Sequence, residues 1–199
     1  AGSSLDTANR DRFVNALKKH LLALAPEDYL CAPALLGDLV PAGGTVVHII
    51  PIDKEAPKGR IILPQVQALR DALNHGLTSL VTRETEFRDT LAKLDRPPDL
   101  VVCDSQVVER MVADTPADVK CTTYSILFAR LKGDLVALAR GAAAIHSLKP
   151  RDRVLIAEAC SHHAIEDDIA RVKIPRWFRK FLGFDPVITT CAGRDFPAD

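Results

Sequence analysis

The sequence predicts an α/β protein of two small domains, each with a mainly parallel sheet flanked by helices. Two observations predict it. Short β-branched runs alternate with stretches whose apolar residues recur at helical spacing, as in strands joined by helical crossovers. The polar break Lys149-Pro150-Arg151-Asp152 then separates a long alternating region from a shorter one. Residues 46–148 are expected to share one sheet, and residues 154–189 to begin a second.

Val14, Leu17, Leu21 and Leu24 mark a first helix that Pro26 ends, because the residue before proline avoids the helical region. Residues 26–45 are rich in Pro and Gly and read as a linker or an irregular entry. Val46–Ile50 is strand-like, and His48 inside it is best explained as a core or edge histidine. Pro64 opens a helix carrying Val66, Leu69 and Leu73, which Gly76 closes. Leu77–Thr82 is a strand. Phe87, Leu91 and Leu94 mark a helix stopped by Pro97-Pro98, and Leu100–Cys103 is a strand. Ser105 caps a short helix through Val108, Met111 and Val112. Ile126–Ala129 is a candidate strand, preceded by strand character at Cys121–Tyr124. Asp134 caps a long helix through Leu135, Leu138, Ala142 and Ile145. Val154–Ala157 is a buried strand. Ile165, Ile169 and Val172 start a helix that Pro175 interrupts, Trp177, Phe178 and Phe181 resume its apolar face, and Val187–Thr189 is the last strand.

Bulk properties exclude several function classes. The 26 basic and 26 acidic residues cancel, so no net charge steers the chain to nucleic acid. Its apolar runs are too short to span a bilayer. The first residues, AGSSLDTANR, are polar and carry no secretory signal. The five cysteines, at 31, 103, 121, 160 and 191, lack the spacing of a disulfide framework. A cytoplasmic protein with reduced thiols is expected. The chain begins with Ala, as a fragment, a trimmed chain or a processed terminus would.

No phosphate-binding loop, G-x-G-x-x-G or G-x-S-x-G occurs. Ala42-Gly43-Gly44-Thr45 lacks the lysine of a phosphate loop and precedes a strand, so it reads as a turn. These residues are therefore expected neither to bind nor to hydrolyse GTP. Cys31, Cys103 and Cys121 are most simply small buried side chains, while the context of Cys191 leaves its role open. Arg171, Lys173, Arg176, Arg179 and Lys180 could meet an acidic partner, but a solvated helix face explains them more simply. Glu166, Asp167 and Asp168 could supply oxygen ligands or a general base, or favour a helix amino terminus through its dipole.

The segment VLIAEACSHH, residues 154–163, carries the chemistry. Cys160, His162 and His163 fall just past the carboxyl end of a predicted strand, the edge where open α/β sheets bind ligands. A soft thiolate beside imidazoles suits zinc, copper or an iron–sulfur cluster. A buried thiol with two loop histidines is the competing reading, since one Cys-x-His has too few ligands to close a site. Cys160 as nucleophile with His162 as base is a third, for which no oxyanion donor set is evident.

Residues 154–177, VLIAEACSHHAIEDDIARVKIPRW, closely resemble the cluster-binding domain of the iron-only (FeFe) hydrogenase maturation GTPases, the HydF family. GDLVPAGGTVV (37–47), PIDKEAPKGRIILPQVQ (51–67), PPDLVVCDSQ (97–106) and SILFARLKGD (125–134) resemble the same family, in consistent order over roughly residues 10–199. The resemblance implies a linker helix at 1–30 that follows an absent GTPase domain. It also implies a dimerisation domain at 31–148 and the amino-terminal part of an iron–sulfur cluster-binding domain at 149–199. Cys160 and His162 match the first half of the family's cluster motif, Cys-x-His; His163 is a weaker candidate. Ser161 and Ala170 stand where Thr and Gly are common in the family. The second half, His-Cys-x-x-Cys, does not occur in residues 164–199, and Ala-Gly-Arg follows Cys191.

By resemblance the intact protein is a homodimeric scaffold or carrier that binds a 4Fe–4S cluster. It receives a di-iron precursor from radical-SAM maturases and delivers it to the apo-hydrogenase. GTP enters only through the absent domain, so no enzymatic activity is expected of this chain alone. No stable cluster is expected without the missing thiolates, and Cys191 could approach Cys160 only if their strand ends are neighbours. The alternative is a small α/β assembly or regulatory module that binds zinc, or no metal, at Cys160, His162 and His163.

Overall fold

The structure is a computed structural model that describes residues 7–25, 33–52, 59–159 and 168–192. The chain divides into two compact units, residues 1–51 with 63–131, and residues 52–62 with 132–199. Helix α1 spans Thr7–Leu24, with Phe13, Leu17 and Leu21 exposed.

The first unit is built on four parallel strands: β1 (Thr45–Ile49), β2 (Thr78–Thr82), β3 (Leu100–Cys103) and β4 (Cys121–Thr123). Their order is β2-β1-β3-β4. Val46 is aligned with Ser79 on one side and Leu100 on the other, and Val101 with Cys121. β1 and β3 are central and buried on both faces, which is why they read as mainly apolar runs, with His48 the buried polar exception. Side chains alternate between two cores. Val46, Ile50, Leu100 and Val102 pack with Ala68 and Ala72 of α2 (Leu63–Asn74) and with Tyr124 and Leu127 of α5 (Tyr124–Lys132). Val47, Ile49, Val101 and Cys103 pack with Phe87 of α3 (Phe87–Ala92) and Met111 of α4 (Val108–Asp114). The sheet thus lies between two helical layers, as the predicted fold class requires.

Several local expectations are corrected. Ile126–Ala129 lies within α5 and is not a strand. A run of four apolar residues fits either period, and here Leu127 is buried while Phe128 and Leu131 pack beside it at helical spacing. The Thr123 hydroxyl accepts from the Ile126 amide at 3.2 Å, which turns the end of β4 directly into that helix. Helix α2 buries Gln65, Ala68 and Ala72, whereas Val66 and Leu73 of the predicted stripe are exposed. Small side chains let the helix sit closer to the sheet than leucines would. Ser105 heads a 3₁₀ turn, Ser105–Val107, that leads into α4. Cys103 is buried as expected, but Cys121 is exposed because β4 is an edge strand. Cys31 lies outside the described residues.

Polar contacts fasten the entry segment to this frame. Asp71 Oδ2 accepts from the amides of Leu36 (2.7 Å) and Gly37 (3.2 Å). Arg130 donates to Asp38 at 2.6 Å and to the carbonyls of Ala34 and Leu35 at 3.0 Å each. Gly76 ends α2 at φ +67°, where a side chain would be strained.

The second unit contains α6 (Leu135–Ala144), a 3₁₀ turn (Ile145–Ser147), β5 (Arg153–Glu158), a π turn (Ile169–Lys173), α7 (Ile174–Leu182) and β6 (Val187–Ala192). The two strands pair in parallel, from Arg153 opposite Val187 to Glu158 opposite Ala192. Asp134 caps α6 as predicted, its carboxylate accepting from the amides of Val136 (2.9 Å) and Ala137 (3.0 Å). The Lys149–Asp152 segment lies inside this unit, between α6 and β5. Pro175 does not interrupt a helix. It sits in the first turn of α7, where its missing N–H costs nothing, and the backbone changes there from π to α spacing. Gly183 ends α7 at φ +77°.

Candidate functional site

β5 is a short strand whose burial rises at Ile156 and whose last residue is Glu158. The Glu158 side chain is almost fully buried, with only 9% of its surface exposed. The described chain resumes at Asp168, also buried. Asp168 caps the π turn: its carboxylate accepts from the Arg171 amide at 2.7 Å, and its carbonyl accepts from the amides of Val172 (2.9 Å) and Lys173 (3.0 Å). This is the amino-terminal role the sequence allowed for Asp168. Glu166 and Asp167 lie outside the described residues.

The Arg171 guanidinium lies between two carboxylates, 3.6 Å from Glu158 and 3.8 Å from Asp168. It therefore ties the end of β5 to the turn that leads into α7. Cys160, His162 and His163 belong to the segment between these anchors and lie outside the described residues. Glu158 and Arg171 were not singled out as a pair from sequence. The available signal was a carboxylate ending an apolar strand, with a cation in the next helical turn.

Cys191, buried in β6, is aligned with Ala157 of β5. The carboxyl ends of β5 and β6 are thus neighbours. Among the described residues no group of three or more His, Cys, Asp and Glu side chains is arranged to hold a metal ion.

The first unit has its own carboxyl edge. Its strand order reverses between β1 and β3, the usual place for a ligand crevice. Here Gln65 donates to Asp104 at 2.5 Å, and the hydroxyls of Ser105 and Ser125 are 2.9 Å apart. These bonds tie α2 and α5 across the strand ends. Gln65 carried no sequence signal beyond its place in a helix. In the core below, His48 is fully buried with Nδ1 at 3.0 Å from the Tyr124 hydroxyl. Burial lowers its pKa to about 4, so it is a neutral core histidine at pH 7, the simpler of its two readings. Burial also pushes the Cys103 thiol up to about 12, which makes it an inert packing group.

Of the basic residues on α7, Arg179 pairs with Asp185 at 2.7 Å, an exposed contact in keeping with a solvated face. No described helix is long and apolar enough to cross a membrane.

Two family models match the sequence. The Hydrogen maturase F dimerization domain matches residues 35–133, close to the limits of the first unit's sheet and helices. The Hydrogen maturase F tetramerization domain matches residues 136–199, which hold α6, α7 and the β5–β6 pair. No curated protein matches the chain. Both matched domains are named for self-association, and together they span the α/β architecture from Leu35 to the last residue. The chain belongs to the HydF family of hydrogenase-maturation proteins.

Proposed function

We propose that this chain is the scaffold or carrier part of a protein that assembles the FeFe-hydrogenase active site, with Cys160 a thiolate ligand of a 4Fe–4S cluster in the intact protein. The observation that carries the reading is the position of Cys160, two residues past the end of a parallel strand in a chain of this family. A thiolate with a neighbouring imidazole is a donor set that suits iron and sulfide. The pairing of β5 with β6 places a buried thiol, Cys191, on the strand beside β5. The other thiolates belong to the His-Cys-x-x-Cys segment that the resemblance implies.

The chain's own residues then have distinct tasks. Cys160 holds the cluster, and His162 ligates it, donates a hydrogen bond behind it or stabilises the thiolate. His163 has the weaker form of the same roles. Glu158, Arg171 and Asp168 fix the two ends of the ligand segment. A cluster held by three thiolates supplies one iron with an exchangeable position, where a di-iron precursor can dock. Radical-SAM maturases supply that precursor, the apo-hydrogenase accepts it, and GTP acts through the family's GTPase domain.

The test uses protein that spans this chain and a downstream His-Cys-x-x-Cys segment, reconstituted without oxygen. Iron, sulfide and brown absorbance are expected, and Cys160→Ser is expected to weaken or abolish them. Equal loading of iron and sulfide by Cys160→Ser would overturn the assignment. Zinc without sulfide would favour the small-module alternative.

A further inference from the structure

Helix α7 separates its side chains into two faces. Ile174, Trp177, Phe178 and Phe181 fall at i, i+3, i+4 and i+7 and form an apolar stripe. Arg176 and Lys180, one turn apart, border that stripe on its Trp177 side. Arg179, on the other side, is held by Asp185 at 2.7 Å. With Ala142 of α6 and Ile145 of the turn after it, the stripe lines an open groove of about 360 Å³ in which no lining side chain is polar. Trp177 is 41% exposed and Phe181 59%. His146 packs edge-on against Phe181, with ring centroids 4.9 Å apart, and holds that ring in place.

We infer that this groove docks an acidic amphipathic helix of a partner protein. Two observations select that occupant. The groove has room for apolar side chains and no polar lining group to orient a small polar ligand, which suits the apolar face of a helix. Its surroundings are cationic. Residues 135–151 and 169–184, which carry all six lining residues, contain Lys and Arg but no Asp or Glu, although acids and bases balance over the whole chain. Glutamates beside the apolar anchors of an incoming helix therefore meet Arg176 and Lys180 at the rim, where charge adds specificity and on-rate. A second copy of this chain brings the same cations to that rim, and like charges repel there. An anionic lipid surface matches the charge, but a flat surface leaves the floor at Ala142 and Ile145 unfilled. None of these residues is a proposed metal ligand, so docking and cluster loading succeed or fail separately.

The experiment uses the whole chain and a synthetic helical peptide with leucines at i, i+3, i+4 and i+7 and glutamates elsewhere. A matched peptide carries lysines in place of the glutamates. Trp177, the chain's one tryptophan, reports burial at the groove. The glutamate peptide is expected to give a saturable blue shift of its emission that added salt weakens, and the lysine peptide none. Phe181→Ala and, on the facing helix, Ala142→Glu are each expected to weaken binding by about tenfold or more. Ala142 is exposed, and glutamate is a good helix former, so this variant keeps the test sharp should Phe181→Ala alter the circular dichroism. Arg176→Glu is expected to narrow the preference for the glutamate peptide. The inference is overturned if the glutamate peptide gives no saturable shift, if both peptides bind equally, or if folded Ala142→Glu binds as wild type does. A shift produced only by anionic vesicles, or only by raising the protein concentration, overturns it as well and assigns the groove to lipid or to a second copy.

Discussion

Acidification from pH 7 to pH 5 should unfold the first unit more readily, through His48. The imidazole is fully buried in the middle of β1, and Nε2 has no hydrogen-bond partner among the described residues. Its pKa is about 4 in the fold, against about 6.5 in the unfolded chain. Between these values the unfolded state binds a proton that the folded state refuses, so stability falls as pH falls. The contribution is nearly nil at pH 7, reaches about 2 kcal/mol of destabilisation at pH 5 and levels off near ~3 kcal/mol below pH 4. Urea unfolding followed by far-ultraviolet circular dichroism measures it, while Trp177 emission follows the second unit separately. His48→Leu should remove this part of the pH dependence. It should also lower stability at pH 7 by about 1–3 kcal/mol, because the Tyr124 hydroxyl loses its partner in the core. Adding Tyr124→Phe should recover part of that loss. If wild type and His48→Leu lose the same stability between pH 7 and pH 5, burial of a neutral imidazole is not the cause and the reasoning fails.

Three further outcomes are expected. Phe87→Ala removes a fully buried ring from the core on one face of the sheet and should cost about 3–5 kcal/mol, read as a lower urea midpoint with circular dichroism. Asp134→Ala removes two hydrogen bonds at the start of α6 and should cost about 1 kcal/mol, with Asp134→Asn nearly neutral; thermal melts of the two variants make the comparison. The Arg130 guanidinium holds the Asp38 carboxyl below its usual range through a hydrogen bond and its charge. Arg130→Gln should therefore raise the Asp38 titration midpoint in a carboxyl NMR titration, and an unmoved midpoint would show that the pair does not persist in solution.

Much of the fold was legible in the residues themselves. β1 and β3 are central strands of a parallel sheet, and burial on both faces leaves little but apolar β-branched residues at such positions, so Val46–Ile50 and Leu100–Cys103 read directly as strands. Asp134 and Gly76 were legible because caps and left-handed turns need particular side chains whatever the surroundings. Cys160 and His162 stood out because soft donors at a strand end have specific chemistry, and the surrounding wording resembles one family. The tertiary structure alone decided other points. Ile126–Ala129 became helix because α5 packs Leu127 against the sheet, a contact between residues far apart in sequence that a four-residue run does not encode. Which face of α2 turned inward depended on how closely the sheet admits Ala68 and Ala72. The Arg171 bridge between Glu158 and Asp168 exists only because the π turn packs back against the end of β5, and the alignment of Cys191 with Ala157 only because β6 returns beside β5. Local composition sets what each segment can be; the energy of packing two segments together sets which of those possibilities is realised.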